Sequence, residues 1–502
     1  MPSEIQGNEV TMSDNSAYQP GPAMPDIDRA ARLDYVSDRG ERIDYEARVR
    51  LVAVPRSDED RRPVGRMSIT SFTRLFDGKP DRDRPVLAMF NGGPIVASTA
   101  LLLSGIGPKR AAFSDDLDAP LRDSYRLEDS PHAVLADCDL IVMDAIGCGY
   151  GRYEADIDVK SKYGAREDAR QFAEAAAAWM SEEGREASPL YILGESYGTV
   201  RAPLMAKTLL ELGDTTIAPA GVVLMGTTTN IQEVHDRLRS VLAPASSLPL
   251  MAAVAWYHHR GSLDATDWRE AIDKARDYAY GPYLHALVEG SRLPADERAK
   301  TAAELERIAG LKAADWLKNR LNISKDRFRS MLLADEGKVV GVYDARYAAP
   351  ASPNYPVDPS SSRVEPVLAV CAHRFYNDLL GVDRSLTRVE APGDVWSAWD
   401  WSIGGPSDSV PAGEHKSPFD EFDYAGALEY CLQQVPGFRL MVVNGAYDTI
   451  TTVGASDALI ASIDAPEGTV TQRIYPAGHM TYTDRESGEA LARDLAAFVR
   501  GE

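Results

Sequence analysis

The chain is 502 residues long and carries 54 basic against 76 acidic side chains, a formal net charge of −22. That charge repels phosphate backbones and anionic headgroups, so neither nucleic acid nor a membrane surface is an expected partner. The apolar residues come in short runs, none approaching the roughly 18 needed to cross a bilayer, and Cys138, Cys148, Cys371 and Cys431 are too few and too scattered for a disulfide framework.

Residues 1 to 28, rich in Pro, Ser, Asn, Asp and Gly, read as a flexible tail. No basic cap precedes an apolar run there, so a secretory signal is not expected and a reducing cytoplasm fits the four cysteines. Strand-like segments follow at Arg32–Val36, Ile43–Val54 and Arg66–Phe72, with a turn at Asp38-Arg39-Gly40. They suggest an antiparallel entry into a sheet. Buried-type strands then recur at Val86–Phe90, Leu140–Asp144, Leu190–Leu193 and Gly221–Met225, the third preceded by a helix over Arg166–Met180. Strands separated by helices of about ten or more residues imply a mostly parallel sheet covered on both faces.

From 228 to 415 helical periodicity dominates, at Ala299–Ala309, Ala313–Arg320 and Arg327–Leu333, and strands are few. The economical reading is an inserted, mostly helical lid or substrate subdomain between a first core part, 29–227, and a second, 416–502. The Trp396, Trp399 and Trp401 cluster is expected to pack that insertion onto the core. Sheet pattern returns at Arg439–Val443 and Val470–Tyr475, and a helix over Glu486–Val499 closes the chain. No Cys-x-x-Cys or His-Glu-x-x-His spacing occurs, and the adjacent His258 and His259 point different ways on any element, so no metal and no cofactor are expected.

The chemistry centres on PLYILGESYGTVRAP, residues 189–203. An apolar run breaks at Gly194 and a helical pattern resumes after Ser196, which places the serine on a sharp strand-to-helix turn. Such a turn requires residues without bulk two positions to either side, here Gly194 and Gly198. The following helix aims its first amides at the serine, with the Tyr197 N–H placed to hold an oxyanion. A second glycine-bearing turn, Asn91-Gly92-Gly93-Pro94, follows the Val86–Phe90 strand and lets backbone N–H groups approach a ligand.

A serine hydroxyl is a weak nucleophile and needs an imidazole to take its proton and a carboxylate to fix the imidazole tautomer. Asp448 and His479 each lie just beyond a strand end. Alone, either reads equally as a turn former or a loop cap. In the order Ser196, Asp448, His479 they match what an α/β-hydrolase sheet delivers, because carboxyl ends of parallel strands converge on one edge.

FNGGP (90–94), GPKR (107–110), VMDAIGCGYGR (142–152), GESYG (194–198), LPLMAAVAWYH (248–258), DEGKVVGVYDARY (335–347), NGAYDT (444–449) and AGHM (477–480) resemble the serine carboxypeptidases, peptidase family S10, in their bacterial cytosol-type form. The resemblance implies an α/β-hydrolase fold with a large, mostly helical lid, and Ser196, Asp448 and His479 as triad. It implies Gly93 and Tyr197 as oxyanion donors, Asn91 and Glu195 on the substrate carboxylate, Met480 lining the pocket beside it, and Gly92 as a further substrate-binding residue. A carboxylate facing an anionic substrate is repulsive unless one of the two is protonated, so Glu195 favours activity on the acidic side. Two features depart from the family pattern: Gly105 stands where a second glutamate is common, fourteen positions after Asn91, and Ile95 follows the NGGP turn in place of glycine. A β-branched residue resists positive φ, so the turn is expected to be shaped differently.

The implied function is hydrolysis of a C-terminal peptide bond through an acyl-enzyme on Ser196, on a peptide or small-molecule acyl substrate, by a monomer or homodimer. The alternatives are a carboxypeptidase-like acyltransferase or an esterase or amidase, and a catalytically silent binding protein.

Overall fold

The computed structural model describes residues 27–502 apart from 58, 213–216, 238, 353–357, 394, 404–416 and 418–421. The tail expected over 1–28 therefore lies outside the described residues up to 26. Ile27 is buried, and Asp28 already begins the first strand.

Three strands, β1 (Asp28–Val36), β2 (Arg42–Pro55) and β3 (Pro63–Phe76), pair antiparallel in sequence order. Next come β4 (Val86–Phe90), β5 (Asp139–Asp144), helix α1 (Ala165–Glu182), β6 (Leu190–Glu195), helix α2 (Gly198–Glu211) and β7 (Pro219–Met225). After helices α3 (Leu242–Tyr257), α4 (Ala295–Ala309) and α5 (Ser361–His373), the sheet resumes with β8 (Arg439–Gly445) and β9 (Val470–Tyr475) and ends in α6 (Arg485–Arg500). The spatial order is β1-β2-β3-β5-β4-β6-β7-β8-β9, with two short strands off this path on β3. From β5 to β9 the pairing is parallel. The carboxyl ends of these strands therefore share one edge, where ligands collect in open α/β sheets.

Both faces are covered, as the continuous apolar runs require. Along β4, Val86, Ala88 and Phe90 join the layer holding α1 and α2, whereas Leu87 and Met89 join the layer holding α5 and α6. Helix α1 forms because its sequence is rich in Ala, with Glu167 and Asp168 in the first turn to complement the helix dipole. Ala169, Phe172, Ala173, Ala176 and Met180 repeat at helical spacing and are buried against the sheet. A fully buried Phe or Met stabilises by about 1.5–3 kcal/mol relative to exposure.

The span 228–415 contains two kinds of packing. Residues from 245 to 345 share an apolar core of their own, which also takes in Ala446, Tyr447 and Val453. By contrast Val364, Val367 and Phe375, in and after α5, pack into one layer on the sheet, and Val395, Trp399 and Trp401 into the other. The tryptophans divide accordingly: Trp399 and Trp401 are buried, while Trp396 is 47% exposed.

Candidate active site

β6 carries the chain to Ser196, whose φ of +59° lies in the left-handed region that a side chain occupies only at a cost of about 1–3 kcal/mol. Close contacts hold it there. A Cβ on Gly194 would overlap the Gly198 carbonyl, and the Ser196 N–H donates to the Met225 carbonyl at the end of β7, 2.9 Å. A Cβ on Gly92 would stand 2.5 Å from the Tyr197 nitrogen and 3.0 Å from the Ser196 Cβ, so the 91–94 turn lies against the elbow. No described group accepts from the Gly93 or Tyr197 N–H, and α2 begins directly after Tyr197.

His479 Nδ1 lies 2.7 Å from Asp448 Oδ2, with both side chains buried. Burial lowers the imidazole's proton affinity, but the Asp448 charge and hydrogen bond outweigh it and hold His479 above the ordinary histidine value. Asp448 Oδ1 accepts from the Ile450 and Thr451 N–H groups, 2.8 and 3.1 Å, and the Thr451 hydroxyl donates to Oδ2. The ring packs over Gly226, where a Cβ would stand 2.8 Å from His479 Cε1. Histidine and serine thus flank Met225 and Gly226. Ser196 is partly exposed and its Oγ makes no hydrogen bond to the imidazole, a looseness common in substrate-free sites.

Glu195 is 3% exposed. Its Oε1 accepts from Asn91 Nδ2, 2.9 Å, and its Oε2 from the Tyr482 hydroxyl, 2.8 Å. Burial pushes this carboxyl up to about 7, against the lowering influence of His479 and the two donors. Asn91 is held in turn, its Oδ1 accepting the Leu101 N–H at 3.0 Å. Met480 is half-buried against the apolar layer that includes Tyr482. Gly105 is buried at φ +85°, its carbonyl accepting from the Ser130 hydroxyl at 2.7 Å. Ile95 does not adopt positive φ, in keeping with its β-branched side chain; it is buried in the layer with α1 and α2.

Five supporting residues escaped the sequence reading. Arg201 on α2, 1% exposed, pairs with Asp168 of α1 at 2.7 Å and donates to the carbonyls of Asn91 and Pro94, 2.9 and 2.6 Å. It ties the elbow helix to the glycine turn. Tyr482 and Thr451 occupy Glu195 and the Asp448–His479 pair, as above. Tyr343, in the segment before α5, accepts the His479 N–H at 2.6 Å on its carbonyl, and Arg346 three residues on holds Asp344, Asp484 and the Pro476 carbonyl. Only helical charge placement and the quoted DEGKVVGVYDARY and GESYGTVRAP stretches hinted at any of them. His258 is half-buried, with Nε2 at 2.7 Å from the Ala345 carbonyl.

Residues 74–279 match the family model of the serine carboxypeptidases. The match is to that segment alone. It spans the glycine turn and the serine elbow, whereas Asp448 and His479 lie beyond it. No curated protein matches the chain. Among solved structures, a prohormone-processing carboxypeptidase from Saccharomyces cerevisiae superposes with a TM-score of 0.54 at 14% identity, over 90% of this chain and 91% of that one. An aryl esterase from Burkholderia cenocepacia (TM-score 0.36, 14% identity, 90% and 98% covered) and a proline iminopeptidase from Mycobacterium smegmatis (0.37, 10%, 90% and 97%) superpose more loosely. The fold is that of the α/β-hydrolases, and the serine carboxypeptidase segment supports hydrolase chemistry. Among the described residues no helix is long and apolar enough to cross a membrane, and no cluster of His, Cys, Asp and Glu is arranged to hold a metal ion.

Proposed function

We propose that this protein is a serine carboxypeptidase-type hydrolase in which Ser196, His479 and Asp448 form the catalytic triad. The observation that carries the proposal is a serine at φ +59° on a strand-to-helix turn, facing the edge where a buried histidine and aspartate pair at 2.7 Å. In this reading Ser196 Oγ attacks the acyl carbon as His479 Nε2 takes its proton, with Asp448 holding Nδ1–H and steadying the imidazolium. The free N–H groups of Gly93 and Tyr197 accept the charge developing on the carbonyl oxygen. His479 then protonates the departing amine, and water activated by the same imidazole releases the acyl group. The four cysteines, buried and unpaired, accord with a reducing compartment.

Asn91 and Glu195 are the proposed anchor for a substrate's terminal carboxylate, with the Glu195 proton, retained up to about pH 7, removing like-charge repulsion. The second reading, an esterase, amidase or acyltransferase, draws on the same site: both Glu195 oxygens are already satisfied by Asn91 and Tyr482, and Gly105 supplies no second carboxyl. Fluorophosphonate labelling of the wild type and its loss in Ser196→Ala test the nucleophile. N-blocked dipeptides with free and amidated C-termini separate the two readings. Preference for the free acid supports the carboxypeptidase; equal cleavage of both sinks that assignment and leaves the hydrolase.

A further inference from the structure

We propose that the helical insertion holds a second binding site, for a small amphiphilic organic anion: a carboxylate or phosphate on an apolar body. It is a cavity of about 1050 Å³ walled by chain from 236–244, 286–298 and 317–327, and no residue of the candidate active site lines it. The volume is at the upper end of small-molecule sites.

Its charge is opposite to that of the molecule. Arg237, Arg239, Arg298, Arg320 and Arg327 all line it, in a chain with a net charge of −22; of these Arg237 Nη1 donates to the neutral Gln232 Oε1 at 2.9 Å. Arg298 Nη2 donates only to the carbonyls of Gly290, Ser291 and Leu293, and Arg327 Nη1 to the neutral Asn319 Oδ1. The Arg239 and Arg320 side chains have no hydrogen-bond or ion-pair partner among the described residues. The lining acid is Asp236, and its Oδ2 is taken by the Lys325 N–H at 2.9 Å. Five guanidinium groups thus line one concavity with a single carboxylate among them, although acids outnumber bases in the chain. Guanidinium forks of this kind recognise carboxylate and phosphate oxygens by paired, charge-assisted hydrogen bonds.

The apolar half of the ligand follows from the remaining wall. Val241 and Leu317, 36% and 40% exposed, stand beside Pro244 and Leu287 in the same cavity. Large apolar side chains left open to water inside a concavity mark a surface meant to be covered. The backbone adds an independent sign. Six non-glycine residues among those described have positive φ, and three of them, Arg239 (+64°), Arg320 (+56°) and Leu321 (+62°), line this cavity; another is Ser196. Backbone strain of this sort clusters at binding sites, where it aims side chains that relaxed geometry would turn away.

Titration calorimetry of the full chain with 4-phenylbutyrate, phenyl phosphate, 4-phenylbutanol and inorganic phosphate tests this. One-to-one binding of at least one of the two aromatic anions is expected, and comparing them tells which oxyanion is preferred. The neutral alcohol and bare phosphate should bind at least about tenfold more weakly than the better anion. Arg239→Glu/Arg320→Glu should weaken that anion at least tenfold, raised salt should weaken it in the wild type, and the variant's melting temperature and fluorophosphonate labelling rate should stay at wild-type values. Arg239→Gln/Arg320→Gln, which keeps side-chain size, should show an intermediate loss and guards against misfolding of the charge reversal. Anion binding unchanged in both variants, equal binding of the alcohol, or no heat at millimolar anion overturns the proposal. So does a wild-type dimer, seen by ultracentrifugation, that the variants dissolve while no anion binds; the cavity is then an interface between copies.

Discussion

Two regions of this molecule use the same kinds of side chain to opposite ends. Around the serine elbow, charge is buried and answered: Arg201 is matched by Asp168 and two carbonyls, Asp448 by His479 and two N–H groups, and Glu195 by Asn91 and Tyr482. In the helical insertion the charges are largely at the surface. Arg260 pairs with Asp335 in water's reach, and Arg239 and Arg320 pair with nothing among the described residues. Buried polar groups in a low dielectric are costly unless fully satisfied, so the first region is rigid by necessity. Exposed ones cost little and remain available to a ligand. The difference separates a part whose charges are held fixed from one whose charges stay open to solutes.

The sharpest way to break that contrast is at the Asp448–His479 pair. Asp448→Asn keeps the shape but stabilises the wrong imidazole tautomer, and fluorophosphonate labelling is expected to slow by about 10⁴-fold. Arg201→Met should strand Asp168 and release the Asn91 and Pro94 carbonyls, costing about 3–5 kcal/mol in urea unfolding. Replacing Asp168 by Leu in the same chain should recover part of this loss. Glu195→Gln sharpens the comparison through pH. The folded carboxyl titrates at about 7 against an ordinary 4.5. A raised carboxyl value means that the folded state holds the proton more tightly, so its contribution is present below pH 4.5 and lost as pH rises to 7. Wild type should therefore lose about 3 kcal/mol between pH 4 and 8 that Glu195→Gln does not lose, measured by urea unfolding at both pH values. At the other extreme, Arg260→Ala in the insertion should change stability by less than about 1 kcal/mol, since Asp335 is 66% exposed. A large effect there would erase the distinction between the regions.

Legibility from sequence follows the range of the forces involved. Val86–Phe90 and Val470–Tyr475 were readable to the residue because short apolar runs bounded by turn formers are local signals. So was the elbow, whose glycines answer a clash between Gly194 and the Gly198 carbonyl four residues on. Tyr482 as the partner of Glu195 was not readable: 287 residues separate them, and a tyrosine three positions after a histidine has no distinctive local pattern. Arg201 reads from sequence as one more helical cation; only the packing of α1 against α2 makes it the strut of the glycine turn. The division of the 228–415 span between a separate apolar core and two layers on the sheet was equally hidden, because helical periodicity shows that a face is buried and not against what.

The amino-acid sequence by itself determined the parallel sheet, the elbow and the order of its polar residues, since strand alternation and tight-turn sterics act within a few residues. Tertiary structure alone decided which side chains stand behind those residues: the aspartate on the histidine, the tyrosine on the glutamate, the arginine beneath the glycine turn. It also decided that five arginines of the insertion would converge on one cavity. These are contacts between segments tens to hundreds of residues apart, and no local propensity encodes them; they exist only once burial of the two apolar layers has brought the strand ends to a common edge.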